Sequence, residues 1–345
     1  MAYKPAFSIL PKLLNFLNDI SVTREKILTL KILPQREIKL RKNARLRMIH
    51  SSTAIEGNLL GLRDIEAVLG GQVVTNIRDR DRVEVVNYEK VMKAIDGMTE
   101  RNNGGDWEKD ILKIHRLTTT GLLPSGKSGH YRAGPVFVIQ RLTGKVMYKG
   151  PAAPRVPKLM KNLCSWLENE QTMELSPGIT AAIAHHQFVT IHPFADGNGR
   201  TARALATLVL YRRGFDIKKM FALDDYYNRD RQAYYRAIRQ ARIDKSLTSW
   251  LEYFSRGLLL ELQQVLEKVE HFNRELKTSK EPVYLSKRQR EILDFAAMNG
   301  KMFRSDAVDI ITVSPKTAYR ELEFLRQSGL LKRKGKGPNT HYMLT

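Results

Sequence analysis

His192-Pro193-Phe194-Ala195-Asp196-Gly197-Asn198-Gly199-Arg200-Thr201-Ala202-Arg203 is the stretch from which the rest of the chain can be read. Upstream of it, Ala181, Ala184, Phe188 and Ile191 recur at helical spacing. Downstream, Leu205, Leu208 and Val209 form a second apolar stripe, and Gly214 is placed to end that helix. The Gly-Asn-Gly segment therefore opens onto a helix N-terminus. Unpaired backbone N–H groups and the positive end of the helix dipole make such a place an anion site. Arg200 and Arg203 are three apart and project from one side of the first turn. Their forked guanidinium groups suit phosphate oxygens, so the stretch is fitted to a polyphosphate.

The remaining residues have separable roles. Asp196 offers a hard carboxylate oxygen beside the anion loop, where a Mg²⁺ bridging phosphates would need it. His192, at the end of the preceding helix, can accept a proton from a hydroxyl at neutral pH. Phe194 has no chemistry to offer, and burying it would pin the loop to the core. The plain alternative is a glycine turn between two helices with a chance histidine and chance arginines. The completeness of the string argues against it.

These twelve residues resemble the full signature of the Fic family, His-Pro-Phe-x-Asp-Gly-Asn-Gly-Arg-x-x-Arg, without a departure. Ile114-His115-Arg116-Leu117, Gly129-His130-Tyr131-Arg132 and Tyr234-Tyr235 extend the likeness over roughly residues 40 to 260. The resemblance implies transfer of AMP from ATP to a Ser, Thr or Tyr hydroxyl of a protein target, the chain itself being one candidate, with release of diphosphate. It makes His192 the base that deprotonates the hydroxyl and Asp196 the Mg²⁺ ligand. Gly197, Asn198, Gly199, Arg200 and Thr201 then bind the nucleotide, Arg203 contacts the γ-phosphate, and Tyr234 and Tyr235 lie near adenine. A kinase-like branch of the family has lysine in place of the second loop glycine, and Gly199 argues against that branch.

Far upstream, Ser51-Ser52-Thr53-Ala54-Ile55-Glu56-Gly57-Asn58 places Ser52 and Glu56 four apart on one helix face, with Gly57 and Asn58 suited to end the helix. Read by itself this is equally well a capped helix. It also resembles the inhibitory motif of Fic proteins, in the subclass whose inhibitory helix precedes the signature. In that subclass the glutamate pairs with the second signature arginine, which here is Arg203. A carboxylate there takes the place and charge that the γ-phosphate needs.

Val136-Phe137-Val138-Ile139 and Val146-Met147-Tyr148 flank Leu142-Thr143-Gly144-Lys145, a hairpin with a glycine turn. The residues alone describe an ordinary surface hairpin. The resemblance makes it the flap that pairs with a target backbone, through Val138, Ile139 and Gln140. Tyr226-Tyr227-Asn228 and Tyr234-Tyr235 carry aromatic faces, though most such tyrosines are core or rim residues. His185 and His186 precede the signature, but without a further acidic ligand in register they read as helix residues, not as a metal site.

Composition bounds the rest. A chain of 345 residues should hold two or three domains, and 42% apolar residues suffice for real cores. One cysteine, Cys164, excludes internal disulfides and fits a reducing compartment. No signal-peptide pattern and no stretch of ~20 apolar residues is present, so a cytoplasmic protein without membrane contact is expected. The net charge of +22 suggests nucleic acid or anionic surfaces. Part of it lies in Lys39-Leu40-Arg41-Lys42-Asn43-Ala44-Arg45-Leu46-Arg47, read as a solvated helix face. Glu261 to Lys268 reads as a charged connecting helix, leading to a polar break at Lys277-Thr278-Ser279-Lys280-Glu281-Pro282.

Beyond the break, Ser286 caps a helix ended by Asn299-Gly300, Arg304-Ser305-Asp306 begins a second, and Ser314-Pro315 a third. Leu330-Leu331 and Tyr342-Met343-Leu344 follow as two strands around a basic turn. Three helices and a basic hairpin resemble a winged helix-turn-helix domain. Lys316, Thr317, Tyr319 and Arg320 would face out to read a DNA groove, and Lys332, Arg333, Lys334 and Lys336 would meet phosphates. Such domains also dock proteins, and the charge of the wing favours DNA.

The expectation is a mainly α protein: an N-terminal helical region over 1–104 with the inhibitory helix, a Fic catalytic core over 105–260, a connecting helix over 261–281 and a winged helix over 282–345. The function expected is a self-inhibited protein adenylyltransferase using ATP and Mg²⁺. Two alternatives stand beside it: a DNA-binding regulator whose Fic core senses nucleotide, and an enzyme that removes AMP with Glu56 orienting a water. Homo-oligomers are compatible with either.

Overall fold

A computed structural model describes residues 2–99, 105–139, 144, 146–275 and 285–345. Within them the chain is helical with two short hairpins, the mainly α fold that the periodicities predict. The elements run α1 (Pro11–Thr29), α2 (Pro34–Ile55), α3 (Leu62–Leu69), α4 (Asp79–Thr99), α5 (Trp107–Thr119), β1 (Phe137–Ile139) and β2 (Val146–Lys149). They continue with α6 (Val156–Glu168), α7 (Glu170–Glu174), α8 (Pro177–Ile191), α9 (Asn198–Arg212), α10 (Leu223–Arg229), α11 (Arg231–Asp244) and α12 (Thr248–Glu275). The C-terminal unit is α13 (Lys287–Asn299), α14 (Arg304–Ile311), α15 (Pro315–Gln327), β3 (Leu331–Lys334) and β4 (His341–Leu344). Among the described residues no helix is long and apolar enough to cross a membrane.

The centre of the body is α8. Ser176 caps it by accepting from the Ile179 N–H, and Pro177 sits at its first position. Ala181, Ala182, Ile183, Ala184, Phe188 and Val189 are all buried, so the helix is enclosed on every side rather than amphipathic. Its alanines let α9, with Ala202, Ala204 and Ala206, lie against it, while α6 and α12 cover other faces. Helix α1 runs along α12, and α4 and α5 flank α9. One core spans these helices, and a second joins α13, α14, α15, β3 and β4 through Ile292, Leu293, Met302, Leu322 and Tyr342.

Away from the signature loop, the structure departs from the sequence reading at three places. The Lys39–Arg47 segment is not a solvated face. Arg45 pairs with Glu89 and Asp96, Arg47 with Asp225 and Glu261, Lys42 with Glu66, and Arg41 with Asp294. A charge run looks solvated only while its partners, carried on other helices, are out of sight. Nor is 261–275 a connector: α12 is one helix, and Leu262, Val265 and Val269 are buried in the body, so a boundary at 260/261 falls inside it. Glu261 is fully buried and held by Arg47 and Arg229. Lastly, Lys332, Arg333 and Lys334 belong to β3 itself rather than to the turn. The polar break at 277–281 and the 281/282 boundary lie outside the described residues, as does the residue 104 side of the first boundary.

Candidate functional site

The loop between α8 and α9 is shaped by two left-handed residues. His192 ends α8 at φ 51°, and Gly197 begins α9 at φ 77°. The first is a conformation that a non-glycine residue adopts at a cost, and such residues cluster at functional sites. Glycine is required at the second, because a side chain at Gly197 would also collide with Thr119. Between them Asn198 closes the loop on itself: Phe194 N–H donates to its Oδ1 at 3.0 Å, and its Nδ2 donates to Phe194 O at 2.8 Å. The side chain of Asn198 is thus occupied within the loop, and only its backbone is available to a ligand. Likewise the Thr201 hydroxyl donates to Gly197 O at 2.9 Å.

Phe194 is buried as expected, stacked on His115 with ring centres 3.6 Å apart. His115 accepts from Gly129 N–H at Nδ1 and donates from Nε2 to Asp196 O, both at 2.9 Å. Burial pushes its pKa down to about 4, so at neutral pH the ring is uncharged and its tautomer is set by these two bonds. Phe194→Ala should cost about 3–5 kcal/mol, the range for truncating a buried aromatic, read as a drop in denaturation midpoint. A loss under about 1 kcal/mol would show that the loop is held without it.

His192 is half-buried, and its Nδ1–H donates to Val189 O at 3.3 Å. That bond leaves the Nε2 lone pair as the ring's basic position. Burial lowers its pKa to about 4; Arg242 and Arg132 add to this, and the Val189 carbonyl and Glu56 oppose it. Arg132 fixes the backbone here, donating from Nε to His192 O and from Nη1 to Gly134 O, both at 2.8 Å. Arg242 does the same from α11, donating to Val189 O at 2.9 Å while lying 3.8 Å over the Tyr148 ring. Tyr148 on β2 donates in turn to Thr190 O at 2.5 Å. These two arginines anchor the hairpin to the end of α8. In the sequence Arg132 carries no role of its own and nothing near Arg242 marks it, because the carbonyls both serve lie in a different segment.

In the hairpin, β1 and β2 pair antiparallel with Val138 opposite Tyr148 and Ile139 opposite Val146. Phe137, Ile139 and Val146 are exposed, while Val138 is half-buried. Gln140 and most of the expected turn lie outside the described residues.

The two signature arginines go to different partners. Arg203 is 1% exposed and points at α2: Nε donates to Ser52 Oγ at 2.9 Å, and Nη2 donates to Ser52 O at 2.7 Å and Glu56 Oε1 at 2.9 Å. Burial works against its charge, and Glu56 overcomes this and holds its pKa well above the usual arginine range. Glu56 follows the last residue of α2, with Gly57 in the left-handed region behind it. Its Oε1 lies so close over Gly199 that any side chain there would collide with it. The carboxylate therefore rests on the N-terminus of α9, the position read from sequence as an anion site.

Arg200 is 2% exposed, with Nη1 3.3 Å from Glu84 Oε1 on α4. Its Nε and Nη1 are buried without a hydrogen-bond partner among the described residues. A guanidinium so placed has donors to spare for an anion. Asp196 is half-exposed, its Oδ1 accepting from Gly197 N–H and its Oδ2 3.6 Å from Arg80 Nη2. Among the described residues no group of three or more His, Cys, Asp and Glu side chains could hold a metal. A lone exposed carboxylate still fits Mg²⁺, which keeps several waters and takes its other oxygens from phosphates.

The tyrosines do not divide as expected. Tyr234 is 1% exposed, its hydroxyl 2.9 Å from His185 Nε2 and its ring 4.7 Å from that of Tyr227. It belongs to the aromatic core under α8 and offers no face to a base. Tyr235, 48% exposed, is the member of the pair at the surface. His185 and His186 are buried, with His186 Nε2 3.1 Å from Ile238 O, as helix residues rather than ligands. In the C-terminal unit Lys316, Arg320, Lys332, Arg333, Lys334 and Lys336 are exposed. Thr317 is half-buried, its N–H donated to Ser314 Oγ to cap α15.

Comparison with known proteins bears on this site. Residues 106–210 match the Fic/DOC family. The protein adenylyltransferase fic-1 of Caenorhabditis briggsae is 34% identical over 170 residues, 48% of this chain and 32% of the relative. The protein adenylyltransferase Fic of Aedes aegypti is 33% identical over 175 residues, 50% of this chain and 34% of the relative. The chain thus spans about a third of the length of these relatives. Among solved structures, a Fic family protein from Desulfovibrio desulfuricans superposes with a TM-score of 0.67 at 27% identity, covering 99% of this chain and 98% of that one. Fic-1 from Caenorhabditis elegans superposes with a TM-score of 0.59 over 78% of this chain and 74% of its own, at 24% identity, a likeness of fold. Residues 106–210 are therefore a Fic/DOC-family domain, set in a fold that a Fic family protein shares over almost its whole length.

Proposed function

We propose that the chain is a self-restrained protein adenylyltransferase, transferring AMP from ATP to a protein hydroxyl. The observation that carries this reading is the tautomer of His192. With Nδ1–H committed to Val189 O and the ring uncharged at neutral pH, Nε2 is a ready proton acceptor at the mouth of the anion loop. It takes the proton of the target hydroxyl, whose oxygen bonds to the α-phosphorus as the bond to the β-phosphate oxygen breaks and diphosphate leaves. The backbone N–H groups at the start of α9 and the spare donors of Arg200 hold the phosphates. Asp196 would hold Mg²⁺, which neutralises phosphate charge when bound. The flap reading for Val138 and Ile139 is supported by a strand anchored beside His192 through Tyr148 and Arg242, with apolar side chains left exposed.

Restraint rests on Glu56. Its carboxylate covers Gly199 and engages Arg203, so a γ-phosphate would meet a like charge in its place. Purified protein with ATP labelled at the α- or the γ-phosphate tests the reading. Retained α-label on protein is AMP transfer; γ-label alone would make the chain a kinase and overturn it. Loss of AMP from pre-labelled protein without any transfer would point to the reverse activity.

Asp196→Asn should raise the Mg²⁺ concentration for half-maximal transfer at least about tenfold, since a neutral amide is a poor ligand for a hard cation. An unchanged Mg²⁺ dependence would move the metal to other residues.

A further inference from the structure

One helix belongs to both halves of the molecule. Ile38, in the second turn of α2, is 2% exposed and is part of the C-terminal unit's own core, with Ile292, Leu293 and Leu322. Arg41, one turn on, pairs with Asp294 of α13. Fourteen residues after Ile38 the same helix presents Ser52, and then Glu56, to Arg203. At 1.5 Å per residue the two ends lie about 20 Å apart. No glycine or proline follows Pro34 within α2, so nothing in it invites a kink between them. A force applied at Ile38 or Arg41 therefore acts on a continuous helix that carries Ser52 and Glu56 at its other end.

The α15–β3 face of that unit is fitted to a polyanion. Residues 285–345 carry twelve Lys and Arg against six Asp and Glu. Several of the acids are spent internally: Asp294 on Arg41, Glu321 on Gln289, Glu323 on Arg326, and Asp306 on the Phe303 N–H. The cations of α15 and β3 stay exposed. A groove between the helices and the hairpin is lined by Arg304, Tyr319, Arg333 and Thr340, with Arg304 lying 5.1 Å over the Tyr319 ring. A helix with exposed cations in its first turns, beside a cationic two-stranded ribbon, matches the groove and flanking phosphates of duplex DNA.

We propose that duplex DNA bound on the α15–β3 face releases Glu56 from Arg203 through α2, so that DNA activates adenylyl transfer. This rests on the transferase reading above and adds its regulator. The DNA-free chain already holds the Glu56–Arg203 pair, so the state left for a regulator to populate is the released one; a ligand favouring the restrained state would deepen the restraint and lower ATP affinity instead.

The test uses the full chain and a fluorescent mixed-sequence duplex of about two helical turns. Anisotropy should show binding that weakens steeply with salt, as phosphate contacts do. Saturating duplex should raise ATP affinity, measured by calorimetry, by at least about fivefold, and ATP should tighten duplex binding by the same factor. α-Label transfer should rise in parallel. Glu56→Gly should bind duplex normally and show no further response. Arg41→Met should bind duplex and lose the response; Ile38→Ala provides the same reading if that variant misfolds. No duplex binding, or binding insensitive to salt, overturns the proposal and leaves protein docking for this face. Duplex binding with unchanged or reduced ATP affinity, or an equal response in Glu56→Gly, overturns the coupling. Because affinity is read apart from labelling, a chain that binds ATP but transfers nothing would sink the transferase reading alone.

Discussion

His192→Ala is expected to lower AMP transfer by a factor on the order of 10²–10⁴, the usual contribution of a positioned general base, while leaving the fold and nucleotide binding in place. The fold should survive because the features that shape the loop use other groups: Arg132 binds the His192 carbonyl rather than its ring, and Asn198 and Phe194 close the turn. Removing the imidazole takes away a proton acceptor and only one 3.3 Å hydrogen bond. The pH profile gives a second check. With a folded pKa of about 4, lowered chiefly by burial, His192 stays uncharged as pH falls through the ordinary histidine range. The acid limb of kcat/KM assigned to it should lie near pH 4, and transfer should be flat from about pH 6 to 8 as far as this group is concerned. An alanine variant that labels protein as fast as the parent, or an acid limb near 6.5 that vanishes with the ring, would contradict the assigned role.

Glu56→Gly should raise transfer at least tenfold. Tenfold corresponds to about 1.4 kcal/mol between restrained and productive ATP binding, modest for a charge pair at 2.9 Å in which the arginine is fully buried. The variant frees Arg203 Nη2 and clears the carboxylate from Gly199 at one stroke. Arg203→Ala should gain nothing, because it removes the restraint and the phosphate contact together. It should also destabilise the protein, since Ser52 loses two hydrogen bonds and the buried Asp224 carboxylate beside Arg203 loses a countercharge. The double variant should resemble Arg203→Ala. Flat activity in Glu56→Gly alongside an inactive Arg203→Ala would reduce the Ser52–Glu56 turn to a capped helix end.

Chain order alone placed the residues on which the proposed chemistry rests side by side in 192–203. A histidine, a carboxylate, two glycines and two arginines lie within twelve residues there, between two stretches of helical apolar spacing. Helix ends with caps of their own were equally legible: Ser286, Ser314 and Gly300 sit at the termini of α13 and α15 as read. What the tertiary structure alone decided were the partners. The pairing of the Ser52–Glu56 turn with Arg203 follows from the resemblance, but Arg200 meets Glu84, for which no local signal exists. Long-range burial turned the basic run of α2 from a solvated face into a set of ion pairs, made Glu261 a core residue, and took Tyr234 out of reach of a ligand. It also threaded Ile38 into a core 250 residues downstream, roughly, making α2 common to both halves. The physical reason is the same in each case. A local pattern states which groups need water, a partner or a neighbour, and packing between distant segments decides which of these each one receives.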